Sequence, residues 1–285
     1  MYDLMIIGSG PAGISAALTA KARNLNFIWF GSRALSTKIE KAEKIMNYPG
    51  LPAVTGSEMQ SVFLKQIDDC GITITESQVN SIYDCGGYFA AGADNEIYEA
   101  KAVIMTVGMT TTREIEGEAR LLGCGVSYCA TCDGALYKNK DIAVICASSK
   151  FEDEVTFLAG LANHVYLFTP YKETMLQYDN ITHFNGLPAS VDGDKKVASV
   201  TFKGEAIPVS GAFFLKDSIN PGVLLSGLDM AGGHIIVDRT QKTNIDGVYA
   251  AGDCTGRPYQ YAKAVGEGNV AVHSVLDYLK KHKDN

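Results

Sequence analysis

The chain has 285 residues, of which 46% are hydrophobic and 20% are charged, and this composition excludes an intrinsically disordered protein. Its formal net charge of −7 argues against nucleic acid as a partner, because the phosphate backbone binds basic surfaces. No apolar run reaches the roughly 20 residues that a membrane-spanning helix needs. The first residues, Met1–Ile7, lack the basic start of a secretory signal. We therefore expect a cytoplasmic protein of one or two domains that binds neither membrane nor nucleic acid.

The chain opens with the pattern of a nucleotide-binding β-α-β unit. A buried strand is predicted over Tyr2–Ile7, a helix over Ile14–Arg23 and a second strand over Asn26–Phe30. Between the first strand and the helix lies a Gly-x-Gly-x-x-Gly turn, which lets a pyrophosphate approach the backbone at the helix N-terminus. The candidate dinucleotide-binding residues are Gly8, Gly10, Pro11, Ala12 and Gly13. The alternative is a strand-to-helix turn that is merely rich in glycine.

The acidic residue that usually follows such a turn by about 20 positions is absent. Gly31, Ser32 and Arg33 follow the second strand instead. This weakens the case for a plain NAD site, because the ribose hydroxyls lose their usual acceptor. Ser32 or the backbone could take that role, and Ser32 and Arg33 are therefore candidate cofactor-binding residues.

A second β-α-β start follows later in the chain. Asp141–Ile145 and Val165–Phe168 are predicted strands that flank a helix over Phe151–Ala162. The sequence thus predicts an α/β protein with two Rossmann-like, three-layer domains, the second inserted into the first. The chain is predicted to cross between the two domains at Thr112–Gly117 and to return at Arg239–Ile245. These crossings give a first domain of residues 1–113 plus 244–285 and an inserted domain of residues 114–243.

Cys129 and Cys132 are the closest pair among seven cysteines, in the segment Ser127-Tyr128-Cys129-Ala130-Thr131-Cys132-Asp133-Gly134. Two thiols at this spacing can form a small redox-active disulfide, and a helix N-terminus would raise the thiolate fraction. Asp133 is a candidate proton donor and acceptor for them. A structural zinc site would need two further ligands, and no second Cys-x-x-Cys exists, so we assign no metal site. The remaining alternative is a pair of inert, buried cysteines.

With these motifs in place, the chain resembles the low-molecular-weight thioredoxin reductases over nearly its whole length. The matching segments are Gly8–Gly13, Asn47–Gly50, Gly125–Gly134 and Gly247–Asp253. The cysteine segment is the most specific of the four. Gly108 also matches a family turn, although Thr106-Val107 precedes it where Ala-Thr is usual.

The resemblance implies FAD as the cofactor of the first domain. It places Asn47 beside the isoalloxazine, Asp253 (after Gly252) on the ribityl chain and Gln260 near the pyrimidine edge. Tyr259 stands where an arginine is common, so the flavin edge is expected to be contacted differently. The resemblance further implies that Cys132 faces the flavin, that Cys129 attacks the partner disulfide, that Asp133 handles the proton, and that the protein is a homodimer.

The second Rossmann unit departs from the family pattern at its NADPH site. The turn reads Cys146-Ala147-Ser148-Ser149-Lys150, so the glycines of the family are missing. Thr169-Pro170-Tyr171 replaces a His-Arg-Arg stretch, and no arginine occurs between Arg120 and Arg239. Bidentate cations that favour a 2′-phosphate are therefore lost. NADPH is not expected to bind.

A flavin accepts electrons singly as well as in pairs, so an iron–sulfur donor is a natural replacement for NADPH. This pattern resembles the ferredoxin-dependent flavin thioredoxin reductases, a branch that does not use pyridine nucleotide. We therefore expect an enzyme that reduces thioredoxin with electrons from ferredoxin. The alternatives are an NADPH-dependent thioredoxin reductase with a divergent site, a diflavin-linked disulfide oxidoreductase, a non-catalytic FAD-binding redox sensor, and a flavin oxidase.

Overall fold

The structure is a computed structural model that describes residues 1–40, 42–94, 96–108, 115–172, 174, 176, 178–216 and 220–282. It divides into two compact units. Unit 1 comprises Met1–Met109 and Leu224–Asn285, and unit 2 comprises Thr110–Val223. The expectation of an α/β protein in which one Rossmann-like unit is inserted into another is confirmed.

The return crossing lies earlier in the chain than the sequence predicted. Residues 224–243, which the sequence analysis placed in the inserted domain, belong to unit 1. Backbone pairing explains this difference, because Leu225 forms a bridge with Ile82 and the Gln241 carbonyl accepts the Ala250 N–H at 3.0 Å. The other predicted crossing, Thr112–Gly117, lies partly outside the described residues.

Unit 1 begins with a β-α-β unit and continues into an antiparallel hairpin. Its elements before the crossing are β1 (Tyr2–Ile7), α1 (Pro11–Ala22), β2 (Phe27–Phe30), α2 (Thr37–Glu40), α3 (Gly56–Asp69), β3 (Val79–Asp84), β4 (Phe89–Ala93) and β5 (Glu96–Met105). β1 lies between β2 and β5 in parallel register, with Met5 opposite both Ile28 and Val103. The first half of β5 pairs with β4 in antiparallel register.

Unit 2 contains a parallel sheet and a separate antiparallel sheet of three strands. Its elements are β6 (Val126–Ser127), α4 (Ala130–Asp133), β7 (Asp141–Cys146), α5 (Glu152–Ala159), β8 (His164–Thr169), β9 (Ile181–Asn185), β10 (Ser190–Asp192), β11 (Ser199–Phe202), β12 (Glu205–Pro208), β13 (Gly211–Leu215) and α6 (Pro221–Leu224), the last of which ends at the first residue of the returning chain. The parallel sheet has the order β6-β13-β7-β8-β9.

After the crossing, the chain completes the sheet of unit 1. The remaining elements are β14 (Met230–Ala231), β15 (His234–Ile235), β16 (Val248–Ala250) and α7 (Tyr261–Lys281). β16 pairs in parallel with the second half of β5. Among the described residues, no helix has the length and apolar character needed to cross a membrane.

Each unit has a hydrophobic core of its own. Strands β1 and β13 are buried along most or all of their length, as expected for strands covered on both faces. In unit 1, α1 and α7 pack closely, because a Cβ on Gly268 would lie 2.2 Å from the Ala12 carbonyl oxygen. This contact fixes the helix that carries the first glycine turn against the C-terminal helix.

Candidate active site

Cys129 and Cys132 form a disulfide at the junction of β6 and α4. Cys129 is the N-cap residue of α4, and its Sγ accepts the backbone N–H of Cys132 at 3.2 Å. Cys129 is 9% exposed and Cys132 is half-buried. When the pair is reduced, this N–H donor stabilises negative charge on the Cys129 sulfur, which favours the reactive thiolate form. The two cysteines singled out by the sequence are therefore joined as a redox pair would be.

Asp133 is the last residue of α4, and its carboxylate lies within electrostatic range of Tyr137. Its backbone N–H donates to the Cys129 carbonyl at 3.3 Å. Burial raises the pKa of the Tyr137 phenol, and the charges of Asp133 and Cys124 raise it further. Asp133 is half-buried and adjacent to Cys132 in the chain.

The first glycine turn fits the pyrophosphate of the FAD that the resemblance implies. A Cβ on Gly8 would lie 2.3 Å from the Thr106 carbonyl oxygen, and one on Gly13 would lie 1.9 Å from the Gly8 carbonyl oxygen. Gly10, in contrast, has no atom within 4 Å of the position of a Cβ. Gly10 is also the N-cap of α1, and no side chain caps that terminus. The packed glycines therefore shape the turn, and Gly10 leaves free space at N–H groups that can bind an anion.

Two of the residues expected near the flavin ring are in contact with each other. Asn47 Nδ2 donates to Gln260 Oε1 at 2.7 Å, although the two residues are 213 positions apart in the chain. Tyr259 points to a different partner, because its hydroxyl lies 2.7 Å from His234 Nε2 and the Arg257 guanidinium lies over its ring. The structure thus brings Asn47 and Gln260 together and joins Tyr259 to a hairpin residue that the sequence analysis did not select.

The turn after β16 is held by an ion pair that the sequence analysis missed. The Gly252 N–H donates to Glu267 Oε2 at 2.8 Å, and Lys263 Nζ donates to the Gly252 carbonyl at 2.8 Å. Lys263 and Glu267 pair with each other at 3.1 Å on α7. Asp253 begins the short 3-10 turn that follows Gly252. The spacing of four between Lys263 and Glu267 was the available signal, since side chains at this spacing meet on a helix.

The other cofactor candidates occupy neighbouring turns of unit 1. Gly108 has a φ of +67° in the segment after β5, a conformation that favours glycine. The Ser32 N–H donates to Ser9 Oγ at 2.9 Å, which ties the segment after β2 to the first glycine turn. Arg33 Nη2 lies 3.0 Å from both carboxylate oxygens of Asp68. A role for Arg33 in cofactor binding would compete with that ion pair.

The turn after β7 differs in charge and shape from the first turn. α5 begins with three acidic residues, Glu152, Asp153 and Glu154, where a phosphate would need positive potential. The Tyr171 hydroxyl lies within hydrogen-bonding distance of both Glu152 Oε1, at 3.1 Å, and Cys146 Sγ, at 3.3 Å, so the tyrosine covers the end of β7. The acidic start of α5 was visible in the sequence, but its place at the turn was not recognised.

An open groove of about 480 Å³ remains at this turn, lined by Ala147, Ser148, Ser149, Tyr171 and Lys172. The side chains that line this groove occupy the space through which a pyrophosphate would approach the backbone of a glycine turn. Burial raises the pKa of the Cys146 thiol, which is fully buried beneath the groove. Within the described part of the chain, no group of three or more His, Cys, Asp or Glu residues is arranged to hold a metal ion.

Comparisons with known proteins agree with this architecture. The profile of the pyridine nucleotide-disulphide oxidoreductase family matches residues 2–268. The crystal structure of a ferredoxin-flavin thioredoxin reductase from Clostridium acetobutylicum is 43% identical, with a TM-score of 0.89, and the match covers 100% of this chain and 99% of that one. Thioredoxin reductase of Helicobacter pylori is 33% identical over 99% of this chain and 100% of its own length. The structure of a thioredoxin reductase from Gloeobacter violaceus is 26% identical, with a TM-score of 0.77, and covers 99% of this chain and 95% of that one.

Proposed function

The chain belongs to the pyridine nucleotide-disulphide oxidoreductase family as a flavoprotein disulfide oxidoreductase of the thioredoxin reductase type, and from this premise we propose that it reduces thioredoxin with electrons from ferredoxin. The single observation that carries the choice of donor is the turn after β7. There the glycines are replaced, and three carboxylates begin the helix that would face a phosphate. The similarity to the Clostridium acetobutylicum ferredoxin-flavin thioredoxin reductase supports the same choice.

The cofactor in this proposal is FAD, held by unit 1. The free space at Gly10 and the N-terminus of α1 would take the pyrophosphate. Asn47 and Gln260 would contact the ring, Asp253 the ribityl chain, and Ser32 the adenosine side. FAD supplies the ability to take electrons one at a time and pass them on as a pair.

Unit 2 supplies the thiol chemistry. The Cys129 thiolate attacks one sulfur of the thioredoxin disulfide, which forms a mixed disulfide and releases the other thioredoxin sulfur as a thiolate. The Cys132 thiolate then attacks Cys129 Sγ, which re-forms the Cys129–Cys132 disulfide and frees the second thioredoxin sulfur. Asp133 transfers the protons that the two thiolates gain or lose. Two electrons and two protons thus reach thioredoxin in each cycle, and the donor replaces the two electrons.

Sulfur geometry supports this order of attack. The Cys132 N–H donates to Cys129 Sγ, so the Cys129 thiolate is the one with a backbone donor already in place. Since Cys129 is only 9% exposed, thioredoxin has to gain access to that sulfur when it docks. The homodimer implied by the resemblance and the cytoplasmic location expected from the sequence remain predictions, and analytical ultracentrifugation of the purified protein measures the first.

Anaerobic mixing experiments test the choice of donor. Reduced ferredoxin is expected to bleach the visible flavin absorbance and, with oxidised thioredoxin present, to yield thioredoxin thiols. NADPH at micromolar concentration is expected to do neither. Rapid bleaching by NADPH would overturn the proposed donor and favour an NADPH-dependent enzyme with a divergent site.

The variant Cys132→Ser separates the two halves of the reaction. It should still be bleached by reduced ferredoxin, because the flavin site lies in unit 1, but it should not turn over: Cys129 can form one mixed disulfide with thioredoxin, and without Cys132 that disulfide is not resolved. A wild-type protein that forms peroxide but no thiol product, at a rate that Cys132→Ser leaves unchanged, would instead be a flavin oxidase. A wild-type protein that ferredoxin cannot reduce, but whose disulfide dithiothreitol opens, would indicate a redox sensor.

A further inference from the structure

A buried ion pair contacts Tyr128, the residue before Cys129, and has no part in the reaction steps above. The side chains of Glu118 and Lys216 are 1% and 6% exposed, and Lys216 Nζ donates to Glu118 Oε1. Desolvation makes such a pair expensive to bury, so a gain in overall stability is a poor explanation for it. A better explanation for this buried pair is that it fixes the positions of the side chains around it.

Both oxygens of the Glu118 carboxylate have further partners. The Tyr128 hydroxyl donates to Oε1 at 2.6 Å, and the Ile115 N–H donates to Oε2 at 3.0 Å. Lys216 Nζ also lies over the rings of Tyr128 and Phe214, at 5.2 and 5.5 Å from their centroids. Tyr128 is therefore held at its hydroxyl by the carboxylate and at its ring by the cation.

Cys129 is the residue after Tyr128, so a fixed Tyr128 also restricts the backbone of Cys129. On the other side of Tyr128, the Ser127 hydroxyl accepts the Cys129 N–H at 3.1 Å and lies 3.2 Å from the Cys129 carbonyl. With its backbone fixed in this way, Cys129 places its sulfur 3.2 Å from the Cys132 N–H. A hydrogen bond to a thiolate is charge-assisted and stronger than one to a neutral disulfide sulfur. A fixed Cys129 therefore favours the reduced pair over the disulfide.

We propose that Glu118, held in place by Lys216, is a positioning residue for the disulfide reaction: it anchors Tyr128 and thereby keeps Cys129 Sγ on the Cys132 N–H. Glu118 acts through Tyr128 and does not itself touch the reacting sulfurs. Its effect is a shift of the dithiol–disulfide equilibrium toward the dithiol. This inference rests on the disulfide chemistry of the family and not on the identity of the electron donor.

The variant Tyr128→Phe tests this proposal. It removes the hydroxyl but keeps the ring, and it leaves Glu118 paired with Lys216, so no buried charge loses its partner. Holoenzyme is equilibrated with glutathione redox buffers, quenched in acid and alkylated, and the Cys129–Cys132 dithiol fraction is read by mass spectrometry. We expect the equilibrium constant for reduction of the disulfide to fall about 3- to 10-fold, the range typical of one hydrogen bond. This corresponds to a reduction potential lower by about 14 to 30 mV.

Tyr98→Phe is the matched control. The Tyr98 hydroxyl also donates to a glutamate, Glu96 Oε2, at 2.6 Å, but in unit 1. This variant should keep the wild-type constant. If Tyr128→Phe also keeps it, the pair stabilises both redox forms equally and the proposal is wrong. The measurement needs neither ferredoxin nor thioredoxin, so its failure is distinguishable from failure of the proposed function.

Discussion

At the scale of single residues, the glycines of the first turn divide into two kinds. Gly8 and Gly13 have no room for a Cβ, since the nearest backbone oxygens would lie at 2.3 and 1.9 Å, whereas Gly10 faces open space. The sequence motif treats all three alike. The structure indicates that two of them serve chain packing and one leaves a surface for ligand.

This division predicts different outcomes for two alanine variants. Gly13→Ala should destabilise the protein by about 1–3 kcal/mol, because the added carbon would overlap the Gly8 carbonyl oxygen and the backbone would have to shift. Gly10→Ala should change the stability of the apoprotein by less than about 1 kcal/mol: Gly10 has an ordinary φ of −73°, so alanine restricts the unfolded chain without strain, but alanine is a poorer N-cap residue than glycine. Its flavin content should nevertheless fall.

Thermal unfolding of the apoproteins and the ratio of flavin to protein absorbance measure both effects. Full flavin content in Gly10→Ala would mean that the pyrophosphate does not approach this position. Normal stability in Gly13→Ala would mean that the turn relaxes more than its contacts suggest.

At the scale of elements, α3 begins with a capping box that is independent of the active site. Thr55 Oγ1 accepts the Glu58 N–H at 3.2 Å, and Glu58 Oε2 accepts the Thr55 N–H at 2.7 Å. Hydrogen bonds from the Thr55 backbone and side chain lower the pKa of the Glu58 carboxyl below its ordinary value. The ionised form of Glu58 is therefore the form that stabilises this helix start.

Thr55→Ala should lower stability by about 1 kcal/mol at neutral pH, the usual effect of losing a threonine N-cap. Because the folded-state pKa of Glu58 is lowered, its contribution is present above the ordinary carboxyl pKa and is lost as the pH falls through the lowered value. The difference between variant and wild type should therefore shrink in acid. Urea unfolding at a series of pH values measures it, and a difference that grows in acid would contradict the assignment.

Also at the element scale, α1 and α5 occupy equivalent places in the two units but present opposite surroundings to an anion. α1 begins with Gly10 and Pro11 and has no acidic residue in its first turn. α5 begins with Glu152, Asp153 and Glu154. Carboxylates near a helix N-terminus stabilise the helix, and they occupy the positive potential that a phosphate would otherwise use. The two units therefore share a strand-turn-helix arrangement but differ in the charge of the first helical turn.

At the scale of the whole molecule, each unit has a separate core and its own sheet. Unit 2 is one continuous segment, Thr110–Val223, of a size typical of an independent domain. We expect this segment, expressed alone, to unfold cooperatively on heating and to form the Cys129–Cys132 disulfide.

Circular dichroism during heating and mass spectrometry after alkylation test this expectation. Tyr137→Ala is a suitable destabilised reference, because Tyr137 packs edge-on against Phe213 in the unit 2 core at 5.2 Å. A segment that melts without a transition, like an unfolded chain, would show that unit 2 depends on unit 1 for its stability.

Features that are local in the chain could be predicted from the amino-acid sequence. The strand-turn-helix at Gly8–Gly13, the Cys129–Cys132 pair and the altered turn at Cys146–Lys150 could all be identified, because short-range spacing fixes the geometry of a turn or of a single helical turn. The inserted arrangement of two Rossmann-like units also followed, because each unit repeats the same order of strand, turn and helix.

Features that depend on contacts between distant segments could not be predicted and became visible only in the folded chain. The tertiary structure brought Asn47 to Gln260, moved the return crossing to Leu224, and placed Glu118, Tyr128 and Lys216 in one buried network. A buried ion pair has no signature in the sequence, since lysine and glutamate are usually exposed. Partners that are about 100 or 200 positions apart meet only when the sheets assemble. Every segment contributes to the free energy of folding that sets this assembly, so local sequence patterns do not reveal these contacts.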